Sequence, residues 1–290
     1  MEKKKVIKKR SQTSAILRRL RKNKLAVAGA IVLLVLILLA IFADVIADFS
    51  TDVIGMNMGD RLQKPSTQHW FGTDQYGRDI FARIVHGTRI SLSLALFSML
   101  AAVVLGAVLG AVSAYYGGTV DEIIMRIMDI LMSIPPMLMS ITIVAALGQS
   151  MVNLMIALSI AYIPLFARVI RSSILSIKGQ EFVEAAKCCG TSDPRIIFKH
   201  ILPNAIGPTL VQSTLAMGSV ILTISSLSFI GLGVKPPQPE WGTMLYDARN
   251  LFRHQPYLSV FPGITIAITV LSLNMLGDGF RDALDPRLKN

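Results

Sequence analysis

Six stretches of the chain run without an Asp, Glu, Lys, Arg or His: Leu25 to Ala43, Ile90 to Ala114, Ile130 to Gly148, Met151 to Ala167, Ala205 to Val234 and Pro256 to Gly277. About 20 apolar residues cross a bilayer as a helix, the one open form that pairs every backbone N–H and C=O within its own segment. The pattern therefore predicts six spans. The run at Met151 is near the short limit and the one at Ala205 is longer than a bilayer needs, so their ends are soft. Pro135-Pro136, inside the third run, predicts a kink with free carbonyls.

Three polar segments separate these runs. Residues 44–89 carry Pro65 and the glycine-punctuated run Gly72-Thr73-Asp74-Gln75-Tyr76-Gly77-Arg78-Asp79. Gly231 to Tyr257 opens with three prolines, Pro236, Pro237 and Pro239, and predicts a rigid non-helical loop. Between them, Glu181 to Asn204 has helical patterning. Glu181 to Cys189 is a good helix former ending at Gly190, the residue suited to a left-handed C-terminal position. Ser192 or Asp193 is placed to cap a second helix with Pro194 in its first turn. Ile196, Ile197, Ile201 and Leu202 give that helix an apolar side, and Pro203 is expected to end it.

Composition narrows the class. With 290 residues, 52% apolar and a mean hydropathy of +0.57, the chain reads as an all-α integral membrane protein rather than a soluble domain. The net charge of +11 is concentrated: residues 1–24 hold eleven Lys or Arg and one acid, Glu2. Positive charge beside the first span predicts a cytoplasmic N-terminus touching anionic lipid, not a nucleic-acid surface. Six spans return the C-terminus to the cytoplasm. The same parity puts Val169 to Asn204 inside, where Arg171, Lys178, Lys187, Arg195 and Lys199 agree with it. The first run is too long for a signal-peptide core and is expected to stay as an anchor. The predicted organisation is a basic cytoplasmic segment at 1–24, a first span at 25–43, an extracytoplasmic segment at 44–89 and a five-helix core at 90–290 with its cytoplasmic loop at 181–204.

Chemistry is sparse. The cysteines, Cys188 and Cys189, are adjacent and read as small helix residues. His69, His86, His200 and His254 have no ligand spacing, no paired carboxylates suggest acid–base work, and no GxxxxGK phosphate loop occurs. No catalytic residue, metal site or cofactor is expected. Spans free of ionisable groups argue against a gradient-driven secondary transporter. In the fifth run Gln212, Ser219, Thr223 and Ser226 share one helix face, which either lines a hydrated path or bonds its own backbone. Gly72 to Asp79 reads by chemistry alone as a turn before a helix N-terminus, with Asp79 and Arg83 paired four apart.

Glu184-Ala185-Ala186, then Gly190, then Leu202-Pro203 resembles the EAA motif of ABC importer permeases. His200 stands where that motif usually has an aliphatic residue, and His200-Ile201-Leu202-Pro203-Asn204 resembles the form of the peptide branch. His69 to Leu92, Ser228 to Leu245 and Asn274 to Lys289 resemble the second permease of dipeptide, oligopeptide and nickel importers. The resemblance implies a type I, MetI-like permease fold in a bacterial cell membrane and a peptide cargo, with nickel or a metal chelate as the alternative. It implies a homologous second permease, two cytoplasmic subunits that bind ATP and Mg, and an extracytoplasmic solute-binding protein. Glu184, Ala185, Ala186, Gly190, His200, Leu202 and Pro203 would couple to the ATPases. Gly72, Thr73, Asp74, Gly77, Arg78 and Asp79 would meet the solute-binding protein or guard the outer mouth, with Asp74, Arg78 and Asp79 as the polar contacts.

Overall fold

The computed structural model describes residues 18–284. Most of the basic N-terminal segment and the end of the Asn274 to Lys289 match lie outside them. Among the described residues five helices are long and apolar enough to span a membrane, and a bent pair makes a sixth if its two helices count as one span. The first is α1 (Lys24–Ile41), capped by the Asn23 side chain, which accepts from the Leu25 and Ala26 amides. Helix α2 (Ile80–Tyr116) begins ten residues before the second apolar run, so residues 80–89 are its first turns and not part of the preceding segment. Asp79 caps it by accepting from the Ala82 amide at 2.9 Å.

The third run is not a straight span. Helix α3 (Gly118–Met132) stops before Pro135, helix α4 (Pro136–Leu147) restarts at Pro136, and the two are bent by 87°. The residue before a proline is driven out of the helical region and proline brings no donor, so the double proline makes a break rather than a kink. Helix α5 (Met151–Leu175) follows, then the short α6 (Glu181–Cys188). Helix α7 (Leu202–Phe229) joins without interruption to Asp193–Arg195 and a π-helical segment, Ile196–Ile201. Pro203 therefore does not end a helix: the wider π turn just before it absorbs the missing N–H and the ring clash. The proline-rich loop is also partly helical. Once past Pro239, α8 (Trp241–Ala248) forms, capped by Glu240. Helix α9 (Tyr257–Leu284) completes the bundle.

The core lies where α2, α5 and α7 meet. Leu94, Met99 and Ala102 pack with Leu154, Leu158 and Phe166, and with Ile221, Ile224, Leu227 and Trp241. Helices α2 and α5 approach closely because Gly110 of α2 lies against the Ala167 carbonyl; a Cβ there would sit 2.3 Å from it. Without a hydrophobic drive inside lipid, such backbone approach is what holds membrane helices together. Both described ends of the chain meet: Arg19 donates to the Ala283 carbonyl and Asn23 to Asp282. Alternation along the bundle puts them at the end that holds Glu184, and Asp74 at the opposite end.

Candidate functional site

The Glu184 end is built for exposure on a rigid base. Helix α6 closes as the sequence predicts: Gly190 adopts φ +70°, its amide donates to the Lys187 carbonyl at 2.9 Å, and the Thr191 amide donates to Ala186 at 3.1 Å. This double closure satisfies carbonyls that a helix end leaves open. Val183 on α6 is buried with Ile196, Ile197 and Ile201 against Ala111, Ala114, Ile170 and Ile174 of α2 and α5. Glu184 and Ala185 on the other face are exposed, Ala186 and His200 half-buried, Leu202 half-buried and Pro203 exposed. The expected side-chain caps are not made: Ser192 caps through its backbone carbonyl alone. Asp193 instead accepts the Tyr115 hydroxyl at 2.6 Å. Lys178 donates to the Ala114 carbonyl at 3.0 Å, a cation on the C-terminal end of α2. Cys188 and Cys189 are free and exposed.

The Asp74 end is the reverse. Thr73 and Asp79 pair across a tight turn in which Gly77 has φ +77°. Any side chain at Gly77 would run into the Asn57 carbonyl, 1.7 Å from an ideal Cβ. Asp74 Oδ1 accepts from the Tyr76 and Arg78 amides at 2.8 and 3.0 Å, an Asx turn that folds the segment on itself. Its Oδ2 takes Arg78 Nε at 2.6 Å and Arg83 Nη1 at 2.5 Å. Asp247 of α8 stands 3.5 Å from Arg78 and 3.8 Å from Arg83. Two acids and two arginines thus neutralise one another with Asp74, Arg78 and Arg83 at 7%, 2% and 2% exposure. Burial raises the Asp247 carboxyl above the ordinary carboxylate range despite both arginines, whose pull is the smaller effect.

This geometry corrects two expectations. Asp79 does not pair with Arg83; it caps α2 and meets His69 Nδ1 at 2.8 Å. Asp74 and Arg78 face each other rather than solvent. Gly72 and Thr73 are buried too, and the Thr73 hydroxyl accepts from the Gln63 amide at 2.8 Å. Arg83 takes Asp74 rather than the acid four before it, and neither Asp247 nor Glu240 was singled out in the sequence. Glu240 is fully buried and accepts from the Gly242 and Thr243 amides at 2.9 and 2.8 Å and from Ser91 of α2 at 3.4 Å, pinning α8 to α2. Its place before Trp241-Gly242-Thr243 was the available signal, though Glu is an uncommon cap.

On the bundle's own face, Thr223 donates to the Ser219 carbonyl and Ser226 to the Leu222 carbonyl. Ser219 is exposed and Gln212 half-buried.

A multi-helix membrane protein with an exposed polar loop seated on a buried apolar base is the class these features define. Residues 90–290 match the family of binding-protein-dependent transport system inner membrane components, and residues 11–65 match the N-terminal transmembrane domain of oligopeptide transport permease C. The chain belongs to the first of these families and is a multi-pass membrane protein. It is 47% identical over 273 residues to a dipeptide transport system permease protein, DppC, of Alkalihalophilus pseudofirmus, covering 94% of this chain and 89% of the relative. A glutathione transport system permease protein, GsiD, of Pectobacterium atrosepticum is 43% identical over 274 residues, with 94% and 90% covered. Among solved structures, the MetNI methionine ABC transporter in an inward-facing conformation shares the fold, with a TM-score of 0.57 at 17% identity over 70% of this chain and 96% of that one.

Proposed function

We propose that this chain is the permease subunit of an ATP-binding-cassette importer for di- and oligopeptides, with its Glu184 end in the cytoplasm. The observation that carries the reading is α6, exposed at Glu184 and Ala185 yet seated by Val183 on the ends of α2 and α5. Small exposed residues let a partner backbone approach, and the buried base turns a push on the loop into a displacement of spans. The eleven basic residues beside α1 support the sidedness. Relatives named for dipeptide and glutathione support a peptide cargo. The partners are a homologous permease, two ATPase subunits that hold ATP and Mg, and a solute-binding protein on the Asp74 side. This subunit performs no covalent chemistry of its own; with Thr223 and Ser226 bonded to their own helix backbone, Gln212 and Ser219 are the residues of that face left to line the path.

The test is ATP-dependent peptide uptake in liposomes holding the assembled complex, comparing the native chain with Gly190→Pro. Uptake and ATPase retention should both fall, because proline cannot adopt a positive φ. Uptake that persists with no ATPase partner would refute the reading. For cargo, exchanging the solute-binding protein should carry specificity with it.

A further inference from the structure

Helix α2 is fastened at both ends of the bundle. At the Glu184 end, the Tyr115 hydroxyl donates to Asp193 Oδ1 at 2.6 Å, the Lys187 ammonium lies 5.4 Å from the Tyr115 ring centroid, and Lys178 holds the Ala114 carbonyl. Those three partners all belong to the loop and its approach. At the Asp74 end, Arg83 is held by Asp74 and Asp247, Ser91 reaches Glu240, and the Trp241 indole donates to the Ile84 carbonyl at 3.3 Å.

Both sets of fastenings lie on one unbroken helix of 37 residues, about 55 Å long at 1.5 Å per residue. No proline interrupts it. By contrast α5, α7 and α9 each carry an internal proline, Pro164, Pro208 and Pro262, and long helices bend at such positions. Of the helices that reach the loop, α2 is thus the stiffest.

We infer that Tyr115 and Asp193 form a latch that passes displacement of the loop into α2, which carries it as a rod to the ion cluster and α8 at the opposite end. The inference rests on the loop being the ATPase docking element. Apolar packing of Ile196 and Ile197 against Ala111 and Ala114 transmits a push but is non-directional, so by itself it leaves the register of the loop along α2 free. A charge-assisted hydrogen bond has one geometry, and so fixes the register of loop on helix. Tyr115 and Asp193 are positioning residues at a solvent-facing edge, which makes them removable without unfolding the bundle.

The experiment uses the full complex with its solute-binding protein in liposomes. Tyr115→Phe removes only the hydroxyl. ATPase subunits should stay bound and basal ATP hydrolysis unchanged, while hydrolysis stimulated by the loaded solute-binding protein and uptake per ATP fall about three- to tenfold. Asp193→Asn should lower uptake similarly, and the double variant should be no worse than either single one. Normal uptake in Tyr115→Phe overturns the latch. A second readout places cysteines at 115 and 193 in a chain carrying Cys188→Ala and Cys189→Ala, and joins them with a bifunctional thiol reagent of matching length. Bridging should restore uptake if loop and α2 move together; bridging that abolishes the remaining uptake shows that they move apart and overturns the latch. Failure of the underlying reading looks different: Gly190→Pro would leave the ATPase subunits bound and uptake intact.

Discussion

Glu184 and Ala185 stand exposed on α6, whereas Asp74, Arg78 and Arg83, equally prominent as a polar motif, are almost wholly buried at the other end of the bundle. The loop turns Val183, Ile196, Ile197 and Ile201 inward and offers Glu184 to solvent. The Asp74 turn keeps its charges inward, each neutralised, and spends them on joining residues 52–79, the outer turns of α2, and α8. Both are short polar motifs with a positive-φ glycine, at Gly190 and Gly77. A motif's charge marks a contact surface only when the fold leaves that charge unpaired. At the Asp74 end the charges are consumed in holding three segments together.

That contrast makes the first expectation the largest. Asp74→Ala leaves Arg78 and Arg83 buried without their shared acceptor, and removing one partner of a buried pair costs about 3–5 kcal/mol. Thermal unfolding of the purified subunit in detergent should register it as a loss of fold or yield. Glu240→Ala, which strips the α8 cap and leaves the Gly242 and Thr243 amides without their acceptor, should cost about 1–2 kcal/mol in the same assay.

Asp247→Asn sharpens the comparison from inside the cluster. Its contacts are long and burial already disfavours its charge, so it should cost far less than Asp74→Ala. A carboxyl that binds its proton more tightly folded than unfolded stabilises the fold below the ordinary carboxylate pKa and loses that contribution as pH rises through its raised value. Removing it should therefore reduce stability more in acid than at neutral pH. A larger loss at neutral pH than in acid would show that the arginines, not burial, govern Asp247. Smallest of all, Glu184→Arg should shift stability by less than about 0.5 kcal/mol, because an exposed position has no buried partner to strand.

Spans and the closure of α6 were legible in the sequence because each rests on local pattern: a charge-free run, or a glycine after a helix former. The second helix of the loop was half legible. Its apolar side is buried, but its end at Pro203 was misread because a π turn relocates the backbone donors, and nothing in residue identity announces a π turn. Helix α8 was hidden behind three prolines that precede it and do not enter it. The ion cluster was illegible for a different reason. Asp74 and Asp247 are brought together by the packing of α8 against α2, a contact across 173 residues of chain, and the nearer cue, Asp79 four before Arg83, pointed to the wrong acid. Tyr115 closed an apolar run and gave no sign that a loop 78 residues on would take its hydroxyl.

The division of labour between the two ends is read out by measuring thermal unfolding and ATP-driven peptide uptake side by side for Glu184→Arg and Asp74→Asn in the same assembled complex. A crossed result is expected: Glu184→Arg unfolds like the native chain and loses uptake, while Asp74→Asn lowers the unfolding temperature. If Glu184→Arg transports normally, or if it unfolds as early as Asp74→Asn, energy does not enter through the exposed loop and the division between the two ends fails.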